Sequence, residues 1–190
     1  MGALSATGSG GAARGAIGPE GVYVPPGRPL APAASPARGQ SVDGISCGAG
    51  EQLAFHIHAH LAIFVAGEPR VVPLGIGIAP PLTVQSTVQG PYASGGGCFS
   101  FLHTHASDGI VHIESPVVRT YKLGEFFDVW RQPLGRGGVG PASGRVTAFV
   151  NGRPYAGDLR AIPLLAHTQV QLDVGRPIVA PRPIVFPPTL

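Results

Sequence analysis

The chain has 190 residues, a formal charge of +3, only 12% charged residues, 29 glycines and 21 prolines. That length points to one domain with tails, and the composition suits strands and loops better than a helical bundle. The basic residues are nearly all arginines scattered without a run, which argues against a nucleic-acid surface, and no apolar run reaches the ~18 residues of a membrane-spanning helix.

Residues 1–45 are rich in Gly, Ala, Ser and Pro and read as a flexible lead that cannot bury a core. They hold no apolar stretch of the kind that marks a signal peptide. The globular part is expected over residues 46–176, and the Pro-rich residues 177–190 as an extended tail.

The first strand is Phe55–Val65, FHIHAHLAIFV. Its odd positions, from Phe55 to Val65, form an unbroken apolar face. His56, His58 and His60 therefore line the opposite face, because a strand sends alternate side chains to opposite sides. A turn over residues 67–69 and a short strand over 71–74 should follow, and then a Pro- and Gly-rich loop over 75–97.

The segment LHTHASDGIVHIES, residues 102–115, carries the second histidine group. Asp108-Gly109 between alternating residues predicts a hairpin with a two-residue type I′ turn. That turn pairs Ser107 with Ile110, Ala106 with Val111, His105 with His112 and His103 with Glu114. Directly paired residues have Cβ atoms about 5 Å apart, so His103, His105, His112 and Glu114 could share one ion. A slip of one residue would scatter the set.

Residues 121–132, YKLGEFFDVWRQ, predict the one helix. Leu123, Phe126, Phe127 and Trp130 form a stripe at helical spacing that should pack on the sheet, and Pro133 stops the helix. Residues 145–155 read as strand, Asn151-Gly152 turn and strand, and Gln169–Val174 as the last strand. IFVAGEPR (63–70) and AFVNGRPY (148–155) form a weak internal repeat without shared histidines. The expected fold class is α+β: a mostly antiparallel β-sheet of hairpins with one packed helix.

Cys47 and Cys98 each lie just before a histidine strand. A disulfide between them would close a loop of about 50 residues and add on the order of 4 kcal/mol; two thiolate ligands or two free thiols are the alternatives. A disulfide favours an extracytoplasmic setting.

Neutral imidazole ligates zinc, copper, iron and nickel. The histidine pattern therefore points to a transition-metal site, copper or zinc ahead of iron, drawn from His56, His58, His60, His103, His105, His112 and Glu114. A solvated or pH-sensing histidine face and a metal-free active site are the competing readings. Met1 is the only methionine, so a copper site with an axial Met is excluded. No phosphate loop, nucleophile elbow or catalytic Cys-His spacing accompanies the histidines. A metal-binding module for sequestration, delivery or sensing is therefore favoured over a metalloenzyme with a His/Glu-ligated Zn, Fe or Cu centre. The metal ion is the one partner the pattern names; it identifies no protein partner.

The strings HIHAHLAIFV, LHTHASDGIVHIESP, LGEFFDVW and VTAFVNGRPY together resemble an uncharacterised family of bacterial and archaeal His-rich proteins, secreted or membrane-anchored. The resemblance runs from about Ser46 to the C-terminus. It implies that the histidine motifs define the family, and it supplies no reaction. The chain departs from that pattern at Lys122, where the family has Thr before Leu-Gly, and in lacking a visible export signal.

Overall fold

The computed structural model describes residues 15–190. The elements that position the site are, in chain order, β1 (Ile45–Gly48), β2 (Phe55–Val65), β3 (Glu68–Val71), β4 (Thr83–Thr87), β5 (Gly90–Gly95), β6 (Cys98–Ser100), β7 (Leu102–His103), β8 (Ile110–Ser115), α1 (Leu123–Val129), β9 (Val146–Val150), β10 (Arg153–Tyr155) and β11 (Gln169–Val174). This is an α+β fold dominated by antiparallel sheet, with one α-helix among the described residues.

β2 is the spine of the main sheet, whose order is β7-β8-β2-β11-β9-β10. Ala59, Leu61 and Ile63 bury its odd face in the core, and Phe55, Ile57 and Val65 pack at the margin. β2 runs antiparallel to β8 and parallel to β11. It also folds back onto β3 through Ala66 and Gly67, both at positive φ. Asn151 and Gly152 make the same kind of two-residue turn between β9 and β10, as type I′ geometry requires. The two copies of the internal repeat are thus both hairpins of one sheet.

The aromatic stripe on α1 is fully buried: Phe126, Phe127 and Trp130 lie in the same core as the odd face of β2. Burying one such side chain is worth roughly 1.5–3 kcal/mol. The helix is shorter than the expected 121–132. Tyr121 and Lys122 are taken as a strand by Leu164 and Pro163, and Arg131 at φ 58° ends the last turn ahead of Pro133. The Glu125 carboxylate accepts from the Lys122 N–H at 2.6 Å and holds the first turn.

Three other expectations are corrected. Residues 75–97 are not one loop: Ile78–Ala79 pairs with β6, and β4 and β5 form a hairpin. Short, mostly polar or small-residue segments hid them, since neither β4 nor β5 has a periodic apolar face. The strand after the first turn is Glu68–Val71, not 71–74, because the turn at Ala66-Gly67 starts pairing at once. Residues 15–45 also contribute to the core, where Leu30 and Ala31 are buried. The Trp130 indole N–H donates to Pro32 O at 2.8 Å. Arg28–Pro29 pairs in parallel with Arg70–Val71. The reading of residues 1–14 as a flexible lead lies outside the described residues.

Cys47 and Cys98 form a disulfide with Cα atoms 5.4 Å apart and a sequence separation of 51. It crosses between β1 and β6, which pair directly.

Candidate metal centre

β8 lies between the two histidine strands. His112 pairs with His103 on one side and with His58 on the other, and Glu114 pairs with His56. The two histidine rows therefore share one face of one sheet. The imidazole of His112 has ring centroids 4.5 Å from both His58 and His105.

The hairpin register differs from the expectation by two residues: His103 faces His112, not Glu114. The loop between β7 and β8 spans 104–109 in place of two residues. Tertiary contacts override the local turn signal. Gly109 O accepts from Leu61 N at 2.8 Å, which pulls the loop onto the centre of β2. Asp108 Oδ1 accepts from Ile110 N at 3.3 Å, and of the two turn residues only Gly109 has positive φ, so no type I′ turn forms. His103 and His112 nevertheless keep their face, because a shift of two residues preserves strand parity while a shift of one would reverse it.

The loop is tied down by hydrogen bonds to its neighbours. Thr104 Oγ1 donates to Pro73 O at 2.8 Å and accepts from Ile76 N at 3.1 Å. His105 exchanges two bonds with β5: its Nδ1–H donates to Ala93 O at 2.6 Å, and Ala93 N donates to His105 O at 2.8 Å. The His105 ring also stacks on Tyr92, 4.8 Å between centroids and 9° between planes.

His103 Nδ1–H likewise donates to a main-chain carbonyl, Ser100 O, at 2.9 Å. A carbonyl can only accept, so the proton of each ring sits on Nδ1 and both Nε2 atoms carry lone pairs. Those two Nε2 atoms lie 3.0 Å apart, and both rings are buried. Burial, and after it the neighbouring His112, holds His105 below the ordinary imidazole value. His103 is held well below it by burial, His112 and His105. On β2, His56 Nε2 and His58 Nε2 are also 3.0 Å apart. Burial, His112 and His56 push His58 down to about 3.

Glu114 stands between these pairs. Its Oε1 is 3.1 Å from His56 Nε2 and 3.2 Å from His112 Nδ1. Its Oε2 is 3.8 Å from His103 Nε2. Oε2 is buried without a hydrogen-bond partner among the described residues. Two sets of ligand atoms are therefore close enough to hold an ion: His103, His105, His112 and Glu114, and His56, His58 and His112.

His60, also expected as a ligand, belongs to neither set. It faces Ile110 across the strands and its Nε2 lies 3.1 Å from Asp108 O; burial pushes it down to about 4. Two carboxylates were not anticipated. Glu20 Oε1 is 2.5 Å from His112 Nε2, and Glu51 Oε1 is 3.4 Å from His105 Nε2. Nothing in their local sequence marks them, since Glu20 is 92 residues from its partner. Burial pulls His112 down, but hydrogen bonds to Glu114 and Glu20 outweigh it and raise His112 to about 9. Burial and the neighbouring Glu20 carboxylate push Asp108 up to about 8. Comparison with protein-family models, curated proteins and solved structures gave no match.

Proposed function

We propose that this protein is a transition-metal-binding module whose His103, His105, His112 and Glu114 hold Cu²⁺ or Zn²⁺ for sequestration, delivery or sensing. The observation that carries this is the pair of facing Nε2 lone pairs on His103 and His105, 3.0 Å apart and both oriented by Nδ1–H bonds to carbonyls. Unpaired buried acceptors cost about 1–3 kcal/mol each, and two aimed at each other also repel. A cation removes both costs. Two nitrogens on a tetrahedral ion at about 2.0–2.1 Å sit roughly 3.3 Å apart, close to the observed spacing. Orientation of a ligand imidazole through its other nitrogen is the usual support for a metal site.

Imidazole with one carboxylate suits copper and zinc, with iron a third choice. The disulfide supports an extracytoplasmic setting, and membership of the His-rich secreted or membrane-anchored family belongs to the same proposal. Calorimetric titration of tag-free protein with Zn²⁺ and Cu²⁺ tests it. Tight binding should be lost in the double variant His103→Ala/His105→Ala; equal affinity in that variant refutes the site.

A second reading, a metalloenzyme with Glu114 as base, draws on the exposure of His56, whose side chain is 38% accessible beside the buried ligands. It requires that zinc-loaded protein hydrolyse an activated ester in a way that the same double variant abolishes.

A further inference from the structure

We propose that the centre holds two ions, one on His103 and His105 and the other on His56 and His58, with the Glu114 carboxylate bridging them. This rests on the metal-binding reading above and goes beyond it in number and arrangement. The two histidine pairs are alike, each with its Nε2 atoms 3.0 Å apart. The two pairs fall in separate sets of mutually close ligand atoms, with β8 lying between β7 and β2. Glu114, on that middle strand, turns one oxygen to each pair: Oε1 is 3.1 Å from His56 Nε2 and Oε2 is 3.8 Å from His103 Nε2. A carboxylate used in this way joins ions about 3.5–4 Å apart, the spacing of two-metal sites. His112 belongs to both candidate sets, so it is a third imidazole within reach of either ion.

Charge supports the arrangement. Two divalent cations repel each other, and the carboxylates of Glu20, Glu51 and Glu114 stand against the five histidines. The exposed edge at His56 gives the second ion direct contact with solvent, while the first, on fully buried His103, is enclosed. The second ion should therefore be the more readily exchanged.

Equilibrium dialysis of the full chain against Zn²⁺, with metal counted by mass spectrometry, decides the number. The expected result is two ions per chain in the native protein, one in His56→Ala/His58→Ala and one in His56→Ala alone, with folding of each variant checked by circular dichroism. His56 is exposed enough for the single variant to fold if the double does not. One ion in the native protein, kept in His56→Ala and lost in His103→Ala/His105→Ala, overturns the second site and leaves the first. No bound ion overturns both. With Cu²⁺, a bridged pair should give an electron paramagnetic resonance signal that is coupled or much weaker than two independent coppers. A full-intensity uncoupled signal from two bound coppers overturns the bridge.

Discussion

On one face of the central sheet, Gln169, Gln171 and Asp173 stand in register beside His60, Ala62 and Phe64 of β2. The two halves of that face treat their polar groups in opposite ways. On the β11 side every polar side chain is answered by the C-terminal segment. Asp173 Oδ1 accepts from Val179 N at 2.9 Å, and Gln171 Nε2 donates to Val179 O at 2.8 Å. Gln169 exchanges two bonds with Ile184, at 2.8 and 3.0 Å. On the β8 side, nitrogens of like character face each other and a buried carboxylate oxygen lacks a partner among the described residues. A polar row that serves the fold saturates itself with donors and acceptors. A row that converges acceptor on acceptor is organised for something positively charged.

The strongest way to break this contrast is to truncate each half and measure the other. His103→Ala/His105→Ala should weaken Zn²⁺ or Cu²⁺ binding at least about 10³-fold, since structural zinc sites are worth on the order of 10–16 kcal/mol over their ligands. Gln171→Ala/Asp173→Ala should leave metal affinity unchanged and instead make residues 177–190 sensitive to limited proteolysis. Metal affinity that falls in the second variant would dissolve the distinction.

Removing the disulfide comes next. Cys47→Ser/Cys98→Ser should cost about 4 kcal/mol of stability in a denaturant titration, by the loop-entropy model. The loss should fall on the histidine half, because Cys98 and Ser100 share β6 and Ser100 O orients His103. A stability loss without any change in metal affinity would separate the two.

The histidines should also give the protein a two-sided pH response. Folded-state values of His58 and His60 are depressed to about 3 and about 4, and those of His103 and His105 are also lowered. For such groups the unfolded chain binds more protons. Their stabilisation is present above pH ~6.5 and is lost as pH falls toward their folded values, by up to about 1.4 kcal/mol per pH unit and group. His112 works in the opposite sense. Its value of about 9 is raised, so its contribution is full below about 6.5 and lost as pH rises through about 9. An ion that uses His112 must displace that proton, so affinity should keep rising to about pH 9; Glu20→Gln should bring the plateau to lower pH. Urea titrations of metal-free protein from pH 4 to 9, and dialysis over the same range, check both signs.

The smallest expected effect is at the turn. Gly109 has φ 84°, and a Cβ there would lie 2.5 Å from Leu61 O and 2.9 Å from His60 Nε2. Gly109→Ala should cost about 1–3 kcal/mol, read as a lowered denaturation midpoint. No loss would mean that the loop does not need its contact with β2.

Strand parity was legible in the sequence. Period-two alternation puts His56 and His58 opposite the apolar row whatever the register, and the same rule keeps His112 and Glu114 on one face, with His103 paired to His112. The aromatic stripe of α1, the Asn151-Gly152 turn and β11 also followed from local rules, since each depends on spacing within a few residues. The tertiary structure decided what depends on long-range contact. It lengthened the Asp108-Gly109 turn by drawing Gly109 onto Leu61. It turned His60 to the Asp108 carbonyl and out of both ligand sets. It folded residues 83–95 into the hairpin that orients His105. It brought Glu20 to His112 across 92 residues. A chain's local pattern settles which side a side chain takes; which partner waits there is set by packing between segments that the pattern does not relate.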